Sequence, residues 1–313
     1  IASLVLIRMN GGTAMMRILG IVGVQICICV PIIVFQFCKG KEFFSKEYWG
    51  YALRIGIPIV PHYLSGIILN QGDRIMIDKM VGKTEVALYG LAYSIGMLVQ
   101  LFISGMNSAL TPWMYSKIKK GDIRSMRKVL QLLSVVVVGI AVALMLISPE
   151  LVLIFGSPKY REAVYVIPPV AASVFFIFIY NILSMPQFYY EKTQFLMAAS
   201  MAAAGANVVL NFIFIRLFGY IAAGYTTLAC YMLYSVGHYI VSKRILVNEG
   251  IQENLMSPGF LVACSVFLIG ASIICNLIFP YRILRYAILL ASAGLVFWKK
   301  ELLQKTMADI RKK

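Results

Sequence analysis

The sequence predicts an all-α polytopic membrane protein, and three observations carry that prediction. Hydrophobic residues make up 60% of the chain and charged ones only 13%, where a soluble domain carries about 25% charged residues. Mean hydropathy is +0.83, and apolar runs of about 20 residues recur along the chain, each long enough to cross a bilayer as a helix. The runs are continuous, with no period of two, which excludes a β-barrel.

Taken in order, the chain opens at Ile1 inside a hydrophobic run, without Met and without a signal-peptide layout. It therefore reads as an N-terminally truncated fragment. Residues 1–8 read as the tail of a span, with Asn10-Gly11-Gly12 as its turn. A first complete helix is expected over 14–37. Lys39–Trp49 is charged yet carries Phe43, Phe44, Tyr48 and Trp49, the pattern of a short interfacial helix linking two bundles. Further spans are expected near 54–80, 84–110, 129–155, 164–188, 194–216, 220–242, 258–279 and 282–298, nine with the first. Turns fall at Gly82-Lys83, Gly156-Ser157-Pro158, Gly219 and Pro280. Pro58, Pro61, Pro168, Pro169 and Pro186 lie inside spans and predict kinks, tolerated where neighbouring helices satisfy the freed carbonyls.

The net charge of +16 would point to nucleic acid in a soluble protein. In a polytopic chain it pins cytoplasmic loops instead, and no nucleic-acid partner is expected. Placing the basic loop 111–128 and the C-terminal tail in the cytoplasm splits the 29 Lys and Arg about 19 inside to 10 outside. Cys27, Cys29, Cys38, Cys230, Cys264 and Cys275 all fall in or beside apolar runs and read as small packing residues. No metal site and no cofactor are expected, and no catalytic motif is present: there is no Gly-rich phosphate loop, no HExxH and no CxxC pair. The chain reads as a non-enzyme.

Polar groups inside the apolar runs are the informative residues, because charge at membrane depth is costly and by default marks a cavity or pathway. On the 54–80 helix, His62, Gly66 and Asp73 lie within about 40° of one another at 100° per residue, with Asn70 and Arg74 flanking. The 84–110 helix carries Gln100, Ser104, Asn107, Ser108 and Thr111 along one stripe. The 164–188 helix has Ser173, Tyr180, Ser184 and Gln187, with Asn181 beside them, and the 194–216 helix has Ser200, Asn207 and Asn211. The 220–242 helix has Thr227, Tyr231, Tyr234 and His238. One such stripe is explained by interhelical hydrogen bonding. Five together favour a shared cavity lined by hydroxyl, amide and aromatic groups, as a sugar would want. For Asp73-Arg74 two readings stay open, a mutual pair and an anion contact.

The stretch Asp73-Arg74-Ile-Met-Ile77, Gly82, Val86-Ala-Leu-Tyr89-Gly-Leu-Ala92-Tyr93 resembles the signature opening a lobe in bacterial polysaccharide and O-antigen repeat-unit flippases. These are the Wzx-type members of the multidrug/oligosaccharidyl-lipid/polysaccharide exporter superfamily. A second stretch, Asn207-Val-Val-Leu-Asn211 followed by Gly219-Tyr-Ile-Ala222-Ala223-Gly224-Tyr-Thr226-Thr227, is similar to the family's paired asparagines and G-x-x-G-A-A-x-A-T. Here Ala222 and Gly224 exchange the family's Gly and Ala, and Thr226 replaces Ala; all three changes conserve size. The resemblance covers about 14–245. It implies a second six-helix lobe of a two-lobe exporter fold plus two extra C-terminal helices. On that template 1–38 ends the first lobe and 39–53 is the linker helix. Residues 54–245 form the second lobe, and 246–313 the extra pair and a basic cytoplasmic tail.

The implied function is movement of a polyprenyl-diphosphate-linked oligosaccharide across the bacterial cytoplasmic membrane by alternating access. Arg54 and Arg74 are then the expected diphosphate contacts, since guanidinium binds phosphate oxygens in charge-assisted pairs. Membrane lipids and polysaccharide polymerase machinery are the further expected partners. The rival readings are a multidrug cation antiporter of the same superfamily, which would want acidic cavity residues, and a polytopic polysaccharide polymerase or ligase, which would want a large external loop. A non-transporting lipid scaffold of the same fold is a third.

Overall fold

The computed structural model describes residues 14–41 and 44–298. The expected turn at Asn10-Gly11-Gly12, Phe43 and the basic tail lie outside these residues. The elements are α1 (Ala14–Gly40), α2 (Lys46–Met80), α3 (Lys83–Gly96), α4 (Leu98–Lys119), α5 (Ile123–Phe155), a 3-10 segment (Pro158–Val166), α6 (Ile167–Tyr189), α7 (Thr193–Phe218), α8 (Ile221–Asn248), α9 (Pro258–Ile278) and α10 (Arg282–Trp298). The chain divides into two compact units, Ile1–Arg54 and Ile55–Lys313.

In the first unit, α1 is apolar on every face, with Ile26, Ile28, Val30 and Phe35 all exposed. Cys27, Cys29 and Cys38 are exposed there as well, whereas Cys230 and Cys275, in the second unit, are buried. Within the stretch 39–53, expected as a linker helix, the chain is helical from Lys46 and runs on into the 35-residue α2. No proline stands between Glu47 and Ile57 to end the helix, and Gly50 alone does not stop it.

The second unit is built around α6. A helix that is apolar all round must be surrounded, and in α6 every residue from Ile167 to Ile179 is buried, Phe175 and Phe178 completely. It packs against α3, α4, α5, α8 and α9, while α7 lies on α8 and α10 on α5. Pro168 and Pro169 do not kink it as expected; they sit in its first turn, where the missing N–H groups cost nothing.

The expected single helix 84–110 is two. It breaks at Met97, whose φ of −83° and ψ of 1° leave the helical region, directly after a close contact. A Cβ on Gly96 would stand 2.7 Å from Val170 Cγ1, so only glycine lets α3 approach α6. The α4–α5 turn uses Gly121 at φ 68°, with Asp122 capping α5 through Ser125 N and pairing with Lys117 Nζ at 2.6 Å.

Of the nine expected spans, seven are long and apolar enough to cross a membrane among the described residues. The pair α3–α4 counts as one of them. The two that fall short are α8, whose threonines, tyrosines and His238 lower its hydropathy, and α10, which has 17 residues. The polar content of α8 is the same stripe that builds the site.

Candidate functional site

From Ile55 onward, α2 places His62, Gly66, Asn70 and Asp73 on one face, spaced i, i+4, i+8 and i+11. Side-chain hydrogen bonds join that face to α3, α7 and α8. At its deep end Asp73 is fully buried. Its Oδ2 accepts from the Tyr89 hydroxyl at 2.5 Å and the Thr227 hydroxyl at 2.7 Å, and its Oδ1 accepts from Asn211 Nδ2 at 2.5 Å. Asn211 also donates to Asn207 Oδ1 at 3.2 Å and accepts from the Thr226 hydroxyl. Four helices thus meet on one carboxylate. Lipid offers a buried carboxylate no donors, so the chain must supply them, and Tyr89 of α3, Asn211 of α7 and Thr227 of α8 do so.

One to three turns away the same face makes two further links. Asn70 Oδ1 accepts from the Tyr93 hydroxyl at 2.7 Å and, at a longer 3.4 Å, from that of Tyr231. His62 Nδ1 meets Ser200 Oγ at 2.5 Å and the Tyr234 hydroxyl at 3.1 Å, while Ser200 and Tyr234 are themselves 2.8 Å apart. One turn beyond Tyr234 on α8, His238 is buried and its Nδ1 lies 2.8 Å from Gln187 Nε2.

Between these links opens a cavity of about 770 Å³. Arg74 lies on one wall. Its Nη1 donates to Gln71 Oε1 at 3.0 Å, its guanidinium sits 5.3 Å over the Tyr93 ring, and its Nε has no partner. On another wall Tyr180 stacks on Tyr231, with ring centroids 6.3 Å apart and planes at 10°, and contacts Tyr234 at 4.5 Å. Asn70, Gln71, Ser94, Asn181, Ser184 and His62 add to the polar lining, and no carboxylate lines the cavity among the described residues. One cation with a spare donor, flat aromatic faces and neutral amides suit a ligand with an anionic end and hydroxyl-rich rings.

The structure divides the expected site residues. His62, Asn70, Arg74, Asn181, Tyr231 and Tyr234 line one cavity. Asp73, Asn207, Asn211 and His238 do not; they are buried behind it, because Asp73 and Gln187 gather their hydrogen-bonding groups inward. Gln100 and Asn107 fall on α4, beyond the Met97 break, and are not among the lining residues. Only the hydroxyls of that stripe are satisfied locally: Ser104, Ser108 and Thr111 each donate to the carbonyl four residues back, while Gln100 Oε1 and Asn107 Oδ1 are buried without a partner. Arg54 belongs to the first unit, where it is exposed. The Asp73–Arg74 pair does not form, since neighbours on a helix point about 100° apart. Sequence reasoning missed the donor roles of Tyr89 and Tyr93. Their i, i+4 spacing on the helix following Asp73 is the signal that could have found them.

Comparison with known proteins agrees with the resemblance read from the sequence. Residues 1–119 match the model of a family described as polysaccharide biosynthesis protein. That match takes in Asp73 to Tyr93, but not the second stretch from Asn207 to Thr227. A Haemophilus influenzae protein named for the Lsg locus is 28% identical over 172 residues, 51% of this chain and 41% of its own length. A second protein of that organism, described as an uncharacterized membrane protein, is 29% identical over 167 residues, 50% of this chain and 40% of its own. The matched part of the chain therefore spans less than half the length of these relatives, and no solved structure matches. By its apolar helices and by these matches, the chain is a multi-pass membrane protein, similar over residues 1–119 to the polysaccharide biosynthesis proteins.

Proposed function

We propose that this chain is part of a flippase that carries lipid-diphosphate-linked oligosaccharide repeat units across the bacterial cytoplasmic membrane for surface polysaccharide assembly. The transport is by alternating access, not enzymatic. Residues 54–245 act as one transporting lobe, 246–313 as an accessory helix pair, and the C-terminus faces the cytoplasm. The single observation that carries this reading is the lining of the α2 cavity: a guanidinium with an unpartnered Nε beside stacked tyrosines and amides. From His62 to Arg74 the wall runs about 18 Å along the helix at 1.5 Å per residue, room for an extended headgroup. Unpaired hydroxyls of a glycan each cost several kcal/mol, roughly, in hydrocarbon, and the polar lining removes that cost. In this reading Arg74 holds the diphosphate and Tyr180, Tyr231 and Tyr93 face the sugars. Polymerase machinery receives the product. A cation antiporter would want acidic cavity residues, and the charged group lining this cavity among the described residues is a guanidinium.

The test is surface polysaccharide export in cells, with membrane abundance of the protein measured alongside. Arg74→Ala is expected to abolish export at normal abundance. Arg74→Lys is expected to restore part of it, because the charge survives while the two-pronged geometry is lost. Wild-type export by Arg74→Ala would overturn the reading and leave the cavity a packing feature of a non-transporting scaffold.

A further inference from the structure

At the other end of α5 a second cavity, of about 810 Å³, opens between the last turns of that helix, the 3-10 segment and the α9–α10 turn. It shares no residue with the α2 cavity. Its lining divides by chemistry. Val152, Leu153, Val164 and Phe279 give an apolar floor, while Lys159, Arg161, Arg282 and Arg285 stand against Glu150 and Glu162.

Two of these charges are already committed to each other. Arg285 is 3% exposed, and its two terminal nitrogens each donate to a Glu150 carboxylate oxygen at 2.8 Å. Nη1 also donates to the Leu146 carbonyl at 2.6 Å. This fork ties α10 to α5 and leaves Arg285 Nε buried without a partner. The remaining cations are not committed. Lys159, Arg161 and Arg282 are exposed and make no ion pair among the described residues; Arg282 rests 5.5 Å over the Tyr286 ring. Three free cations therefore face one carboxylate, Glu162.

The position of the cavity matters as much as its charge. It lies where α5 ends at Phe155 and where α10 begins at Arg282, at the helix ends, the depth at which headgroups meet apolar side chains. Exposed arginines over an apolar floor at that depth match a group with phosphate oxygens at one end and methylenes at the other.

We infer that this cavity binds a phosphate-bearing anion, with Arg161 and Arg282 on the phosphate oxygens and Val152, Leu153 and Val164 against any attached lipid chain. The inference does not rest on the proposed transport. The phosphate can come from a phospholipid headgroup or from free phosphate in solution, and the experiment separates the two. The purified chain in uncharged detergent is titrated calorimetrically with phosphatidylglycerol, and separately with inorganic phosphate. Saturable phosphatidylglycerol binding is expected, weakened at least tenfold in Arg161→Ala/Arg282→Ala. It is expected to change less than twofold in Lys243→Ala/Arg244→Ala, which removes two exposed charges at the end of α8. Leu153→Trp, which crowds the floor, is expected to weaken the lipid and spare inorganic phosphate. Phosphate that binds and displaces the lipid assigns recognition to the phosphate group from either source; lipid binding that phosphate does not displace assigns the site to headgroups. Equal lipid affinity in the two double variants, or no saturable binding of either probe, would overturn the inference.

Discussion

Replacing Asp73 with alanine removes the acceptor on which four helices converge, and the structure gives the size of the effect. Three donors lose their partner at once: the hydroxyls of Tyr89 and Thr227 and the amide of Asn211. All sit at fully buried residues, so no water replaces the carboxylate. Hydrogen bonds between membrane helices average about 0.6 kcal/mol by double-mutant cycles and reach about 1.7. Three of them place the loss at about 2 to 5 kcal/mol, with the upper end favoured because the acceptor is a carboxylate and the orphaned donors stay buried. Asp73→Asn is expected to lose about 1 kcal/mol, because the amide keeps one acceptor and the two hydroxyls can turn to accept from its NH2 group. The assay is equilibrium unfolding of the purified chain in mixed micelles, with Thr227→Val and Tyr89→Phe as partners in double-mutant cycles. Each partner is expected to couple to Asp73 by at least about 0.5 kcal/mol. Zero coupling at both positions, or equal losses for Asp73→Asn and Asp73→Ala, would refute the view that this carboxylate organises the lobe.

Three further outcomes follow from the same geometry. In the export assay Tyr231→Ala and Tyr234→Ala are expected to reduce export more than they reduce thermal stability, with Tyr239→Ala as the control. Tyr231→Phe is expected to cost less than Tyr234→Phe, because the Tyr234 hydroxyl holds Ser200 and His62 whereas that of Tyr231 makes only a 3.4 Å contact. Gly96→Ala is expected to destabilise by about 1 to 3 kcal/mol through overpacking, because its Cβ would meet Val170 at 2.7 Å; Gly105→Ala, with open space around it, is expected to be neutral or slightly stabilising in the same melts. For orientation, Lys120→Cys on a background without native cysteines is expected to stay unlabelled by an impermeant thiol reagent added outside intact cells, and labelling there would reverse the topology.

The positions of the helices were legible because a bilayer crossing is a local property: length and apolarity are written within each run. Expected and observed limits differ mainly at helix ends, as at α5, which begins at Ile123 instead of near 129. Periodicity also marked which face of each helix is polar, and that is why His62, Asn70, Arg74, Tyr231 and Tyr234 could be chosen from the sequence at all.

What periodicity does not contain is which polar face meets which. Five stripes looked equivalent in the sequence, yet side chains of α3, α7 and α8 close on Asp73, while the hydroxyls of the α4 stripe bond back to carbonyls of their own helix. The stripe lies beyond the break at Met97, which directly follows the close approach of Gly96 to Val170 on another helix. The cavity likewise needed tertiary structure. Asp73 and Arg74 are neighbours in sequence with opposite fates, one gathering donors into the core and the other left with a free Nε over Tyr93. The sequence by itself determined that this chain crosses a membrane with buried polar faces, because burial of backbone and apolar surface in lipid is settled run by run. Only the side-chain hydrogen bonds of α2 with α3, α7 and α8 decided which of those polar groups bind each other and which remain available to a ligand, because hydrogen-bond satisfaction is a property of helix pairs and not of any one helix.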